Sequence, residues 1–370
     1  MQRLQPSRVI LVVPSPILLG CGERAEGEPP MLHWILLGLS ALLAPGAGEA
    51  KPADGALLSS APCVWHPLSY EDYVSTTVRH YESEAAESAK FGITPPPVAG
   101  LRAILVSRAD YEASFAHPSA CRRILYGSDG LRVVAYVWEP ANIAPGAKLP
   151  VIIALHGGSR NAAKWMPESA RGMADLVSAG FIVIGVQYRG VDGGEGQEEY
   201  GGADVHDAVN AVALARGLPE ADPRNIFMIG ASRGGMELFL ALRDGAAVNA
   251  AASISGMTDP ELEAKRHPDW EAQNWRPLIP GYDRDRAGAL ARRSAVRVAK
   301  EVDLPPILIM HGTADFRVDP RNAFEVAEAL QARGRPYALH MFDGDVHGLT
   351  WNGRERDRLM IDWFRQHIVH

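Results

Sequence analysis

Only three cysteines occur among 370 residues, and neither they nor the histidines fall in the C-x-x-C or H-E-x-x-H spacing that holds zinc. Nothing else in the sequence calls for a metal or an organic cofactor. Gly193-Gly194-Glu195-Gly196 resembles a phosphate loop only in its glycines, because no Lys-Ser/Thr pair follows. Positive charge is also in short supply: 37 Lys and Arg face 44 Asp and Glu, for a net charge of −7 and a pI near 6.0. No basic cluster breaks that balance, which argues against a nucleic acid or an anionic membrane as partner. Long apolar runs are missing as well. The two candidates, residues 9–19 and 35–44, fall short of the ~20 residues needed to span a bilayer, so no transmembrane anchor is expected.

Those two runs suggest export instead. Arg3 and Arg8 precede the first, which ends in Leu18-Leu19-Gly20-Cys21, a lipobox-like sequence that would make Cys21 a lipid-modified residue. The second follows Met31 and leads to Gly48-Glu49-Ala50, a small-x-small pattern of the kind signal peptidase cuts. Translation from Met31, with residues 1–30 an over-extended start, accounts for two signals in series, and residues 1–50 are read as export sequence. Removing them leaves a charge of −6 and two cysteines, Cys63 and Cys121, compatible with one disulfide or two free thiols in an oxidising compartment.

Residues 51–117 have helix-compatible composition over 70–91, broken at 94–97, and are read as an N-terminal helical cap segment. From 118 to 370 a catalytic domain is expected. Residues 122–126 and 131–138 form a hairpin pair around Gly127-Ser128-Asp129-Gly130. Apolar runs at 151–155, 181–186, 226–229, 250–254, 306–310 and 337–342 then alternate with helix-like stretches at 162–178, 203–215, 236–242, 322–333 and 354–367. Eight strands in this order predict an α/β fold, a mostly parallel sheet with helices on both faces and an antiparallel pair at the front. Residues 258–301, between two strands, exceed what a crossover needs; they are either a contributor to substrate selection or a surface insertion.

The chemistry converges on Gly230-Ala231-Ser232-Arg233-Gly234-Gly235. A G-x-S-x-G turn between a strand and a helix exposes the serine hydroxyl at a strained bend, and the Arg233 amide lies at the helix N-terminus where an oxyanion is favoured. His156-Gly157-Gly158 follows the strand 151–155 and can aim a second amide, that of Gly158 or a neighbour, from the opposite side. Asp315 follows the strand 306–310, on the sheet edge where catalytic groups of open α/β sheets gather. Asp319, its rival, reads better as a helix N-cap before Pro320. His347 follows the last strand on a glycine-bearing loop, where it can take the Ser232 proton and lean on Asp315. The chain order Ser232, Asp315, His347 is that of α/β-hydrolases.

From about Arg122 to the C-terminus the sequence resembles the catalytic domain of the prolyl oligopeptidase family of serine peptidases, within the α/β-hydrolase superfamily. The resemblance is carried by Leu155-His156-Gly157-Gly158, Tyr188-Arg189-Gly190, Tyr200-Gly201-Gly202-Ala203-Asp204-Val205, the Ser232 elbow, His311-Gly312-Thr313-Ala314-Asp315 and His347-Gly348. It implies a Ser232, Asp315, His347 triad, spaced by 83 and 32 residues, acting on small-molecule or short-peptide substrates without a cofactor. Family peptidases usually carry an N-terminal β-propeller, and the roughly 70 residues between Ala50 and Arg122 cannot make one. Several also place a tyrosine hydroxyl in the oxyanion hole, where this sequence has Ser159-Arg160. Peptide amides and small acyl esters both remain open as substrates.

Overall fold

The computed structural model describes residues 50–64, 68–105, 107–109, 111–112 and 120–370, all within one compact unit, Ala50–His370. Residues 1–49, which hold the two runs read as export signals and Cys21, lie outside the described residues. Nine strands form one sheet: β1 (Leu57–Pro62), β2 (Ala120–Ser128), β3 (Leu131–Glu139), β4 (Leu149–Leu155), β5 (Ile182–Val186), β6 (Ala221–Ala231), β7 (Ala250–Ile254), β8 (Ile307–Gly312) and β9 (Tyr337–Phe342). Their order is β1-β2-β3-β5-β4-β6-β7-β8-β9. The first three pair antiparallel, as does β3 with β5, and every pair from β5 to β9 is parallel.

The apolar runs are continuous because both faces of the parallel strands are covered. Alternate residues feed two cores. Val151, Ile153, Ile184, Met228 and Ile309 face one, with side chains from the helices α4 (Val205–Gly217), α5 (Arg233–Arg243), α8 (Ala295–Glu301) and α9 (Arg321–Ala332). Ile152, Val183, Phe227, Ala252 and Leu308 face the other, against α3 (Ala170–Ser178) and α10 (Gly353–Gln366). Among the described residues no helix is long and apolar enough to cross a membrane.

The ninth strand is β1, which adds an antiparallel edge to the eight expected. Residues 51–117 therefore supply a strand as well as helices α1 (Tyr70–Ser88) and α2 (Val98–Ile104). Cys63 just past β1 is disulfide-bonded to Cys121 in β2, so the bond spans both ends of the helical segment, 58 residues apart. The helix expected over 162–178 is shorter. Gln187 takes the Trp165 amide on Oε1 and donates Nε2 to the Trp165 carbonyl, which holds that stretch out of a helix until α3. The long stretch after β7 is mostly helical, containing α6 (Pro260–Arg266), short turns to Leu278, α7 (Arg286–Ala291) and α8.

Candidate active site

Strand β6 ends at Ala231 and α5 begins at Arg233, so Ser232 makes the whole turn alone, at φ 56° and ψ −121°. A side-chain-bearing residue is strained there, at a cost of ~1–3 kcal/mol that its surroundings must offset. They do so through the backbone. The Ser232 amide donates to the Ile254 carbonyl at 3.0 Å, and the Ser232 carbonyl accepts from Gly235 and Met257 at 2.9 and 3.0 Å. The flanking glycines are required by space: a Cβ on Gly230 would lie 2.1 Å from the Gly234 carbonyl oxygen, and one on Gly234 would lie 2.2 Å from that of Leu155. The H-G-G turn rests against the serine, since a Cβ on Gly157 would approach Ser232 Cβ to 2.9 Å.

Asp315, past the end of β8, has no solvent exposure. Its Oδ1 accepts the amides of Arg317 and Val318, each at 3.0 Å. Its Oδ2 lies 2.8 Å from His347 Nδ1 and 3.1 Å from His311 Nε2. Burial alone would raise its pKa, but the electrostatic attraction to His347 and the hydrogen bonds from His311 and His347 outweigh that and hold the carboxyl well below the usual carboxylate range. With Nδ1 donating to the carboxylate, His347 keeps Nε2 as its proton-accepting nitrogen.

The histidine loop after β9 is built on Asp345, a residue to which sequence reasoning gave no role. Its buried carboxylate accepts the amides of Val346, Trp351 and Asn352 at 2.8 to 3.0 Å, and its carbonyl accepts the Ala314 amide at 2.9 Å. It thereby ties the loops of His347 and Asp315 together. The Gly348 amide donates to Ser255 Oγ at 3.1 Å, joining the histidine loop to the end of β7, the strand that also holds Ser232. Ser232, Asp315 and His347 thus follow β6, β8 and β9 along one edge of the sheet, and the structure puts the last two in direct contact. Asp319 was expected to be the N-cap; it accepts the Arg321 amide at 3.0 Å, but α9 starts at Arg321 with Pro320 in the N-cap position, one residue later than expected.

Helix α1 covers the two loops. Glu84 pairs with Arg317 at 2.7 Å, and Val78, Tyr81 and Leu101 pack on Val346. The stretch after β7 reaches the H-G-G turn from the other side, where Ser159 Oγ donates to Asn274 Oδ1 at 2.8 Å. The Arg233 and Gly158 amides, the two expected oxyanion donors, sit at the start of α5 and in the H-G-G turn. The Arg233 side chain was not anticipated: it is fully buried, with Glu198, Asp204 and Glu237 around its guanidinium.

A sheet of this order, with a strained serine elbow after β6 and an acid and a histidine past later strands, defines an α/β-hydrolase. Residues 169–370, more than half of the sequence, match the profile of the prolyl oligopeptidase family, and the chain belongs to that family. It is 29% identical to the uncharacterized peptidase YtmA of Bacillus subtilis, over 60% of this chain and 84% of that protein. It is 28% identical to dipeptidyl-peptidase 5 of Porphyromonas gingivalis, over 62% of this chain and 35% of that one. Among solved structures, a puromycin-hydrolyzing peptidase of Mycobacterium tuberculosis superposes with a TM-score of 0.58 at 26% identity, over 68% of this chain and 40% of that one. The chain thus spans most of the first relative and less than half of the other two.

Proposed function

We propose that this protein is an exported serine peptidase that cleaves peptide bonds of short substrates through an acyl-enzyme. The observation that carries the reading is the 2.8 Å contact between His347 Nδ1 and a buried, ionised Asp315, on the same sheet edge as a serine held in a strained elbow. Ser232 Oγ attacks the acyl carbon and its proton passes to His347 Nε2, while Asp315 holds the ring and offsets the imidazolium charge. The oxyanion of the tetrahedral intermediate is bound by the amides of Arg233 and Gly158. The C–N bond then breaks as His347 returns the proton to the leaving amine. Water, deprotonated by the same histidine, releases the acyl group and restores the Ser232 hydroxyl.

Relatives named as a dipeptidyl-peptidase and a puromycin-hydrolyzing peptidase support short substrates with an amide bond. A carboxylesterase on the same machinery is the second reading, because the elbow and H-G-G turn suit either leaving group. Export is supported by the N-terminal signal-like runs and by the Cys63–Cys121 disulfide, a bond that persists in oxidising compartments. The test is a panel of peptide amides and short acyl esters assayed with the wild type and Ser232→Ala. Peptide turnover that falls by up to ~10⁶ in the variant is expected. Turnover of esters alone would select the second reading, and activity surviving Ser232→Ala would remove both.

A further inference from the structure

We propose that the side chain of Arg233 is a positioning residue for the oxyanion hole, locking together the two backbone segments that supply its amides. The inference rests on the proposed roles of Ser232 as nucleophile and of the Arg233 and Gly158 amides as donors.

Arg233 belongs by its backbone to the serine elbow, and its guanidinium crosses to the other half of the hole. Nη1 donates to the Gly158 carbonyl at 3.1 Å and to Glu198 Oε2 at 2.9 Å. The second Glu198 oxygen, Oε1, accepts the Arg160 amide at 2.7 Å. The turn at 158–160 is therefore held twice, once by Arg233 directly and once through Glu198. Nε donates to Glu237 Oε1 at 2.9 Å, within α5 itself, and Nη2 donates to Asp204, which in turn accepts the Gly202 amide at 2.8 Å. The rings of Tyr188 and Tyr200 lie 4.6 and 4.4 Å from the guanidinium carbon. The Tyr188 hydroxyl donates to the His156 carbonyl at 3.1 Å, at the root of the same turn.

The turn needs such a tie. Gly158 sits at φ 65°, a conformation glycine adopts freely but also leaves freely. Its carbonyl and its amide lie on successive peptide planes joined only by the φ and ψ of Gly158, so holding the carbonyl limits how far the N–H can swing. Gly157 sits so near Ser232 that a Cβ on it would come within 2.9 Å of the Ser232 Cβ, and a small swing of the turn alters the donor's distance from the reacting atoms. Fold stability alone does not explain the choice of residue. A buried guanidinium carries a large desolvation penalty, and well-packed apolar side chains often stabilise a fold as well or better. What the ionic cluster adds is direction: hydrogen bonds aimed at one carbonyl and, through Glu198, at one amide. Burial, together with the charge of Asp204, pushes the Glu237 carboxyl up to about 8, against the pull of Arg233.

The experiment compares wild type, Arg233→Lys and Glu198→Gln, with kcat expressed per active site titrated to completion by a fluorophosphonate, and Ser232→Ala, with turnover expressed per mole of protein. Slackening the clamp should lower kcat by about 10- to 100-fold, less than the ~10²–10³ that outright loss of a donor costs, with KM changed by less than about threefold. The second-order rate of phosphonylation should fall by a similar factor, because the phosphonyl oxygen occupies the oxyanion site. Should Arg233→Lys fail to fold, Glu198→Gln, which keeps the volume but can satisfy only one of its two partners through oxygen, decides alone. An unchanged kcat per titrated site in Glu198→Gln, whatever its melting temperature, would overturn the inference and leave the cluster a purely structural one. Retained turnover in Ser232→Ala would instead remove the nucleophile assignment on which the inference depends.

Discussion

Asp315 is fully buried and ionised, and it can be both because every lone pair it presents is used. Two backbone amides fix Oδ1, and two histidines face Oδ2. Asp315→Asn should therefore fold while disturbing the His347 tautomer, since an amide can donate to Nδ1 where the carboxylate only accepts. The expected loss is about 10⁴ in kcat with little change in KM, read by steady-state kinetics; a loss under tenfold would remove Asp315 from the proposed triad. Asp345 acts on the same histidine indirectly. Asp345→Ala leaves three backbone amides without their acceptor, at ~1–3 kcal/mol for each that stays buried and unpaired. Urea denaturation should show that loss, and kcat should fall with it. Ser232, Asp315 and His347 were legible in the sequence because each sits in a glycine-punctuated motif just past an apolar run. Asp345 lay within one of those motifs without a visible role, because three of its carboxylate's partners are backbone amides, which leave no trace in sequence, and the fourth is the Asn352 side chain. Arg233 was read for its amide alone, since the acids around it come from positions as distant as 198 and 237.

At the scale of elements, the parallel strands were legible because both their faces are covered and the runs are apolar throughout. Strand β1 was not. Its sequence, Leu-Leu-Ser-Ser-Ala-Pro, has no alternation, all six residues are exposed, and Pro62 closes it at the sheet edge, where a missing amide costs little. What holds it is its pairing with β2 and the disulfide beyond it. The same bond closes the loop that contains α1 and α2, the helices that pack over the Asp315 and His347 loops. In the chain-entropy account, closing a loop of 58 residues constrains the unfolded chain by about 4 kcal/mol. The Cys63→Ser, Cys121→Ser double variant should lose stability toward that limit in chemical denaturation, and α1 should become the first site of limited proteolysis. Unchanged stability and an uncut helix would show that packing on Val346 and the Glu84 pair with Arg317 suffice to seat the cap.

The molecule as a whole should answer to pH through its buried acids. Burial, reinforced by Asp204, raises Glu237 to about 8 from an ordinary 4.5, and burial raises Glu263 to about 7. Between about pH 4.5 and 8 the folded state keeps protons on these groups that the unfolded chain releases, so their contribution to stability is full below that window and is lost as pH rises through it. Glu237→Gln, a neutral isostere, should remove part of the slope: the wild type should lose stability relative to the variant from pH 5 to 8 in urea titrations. Parallel curves would contradict the raised Glu237.

The sheet order, the elbow after β6 and the acid-histidine pair past β8 and β9 all lead to one nucleophile. The most direct measurement is fluorophosphonate labelling of the wild-type protein with the adduct mapped by mass spectrometry. The account predicts a single phosphonyl group on Ser232 and none on Ser232→Ala. An adduct on another residue, or no adduct on a folded protein, would contradict it.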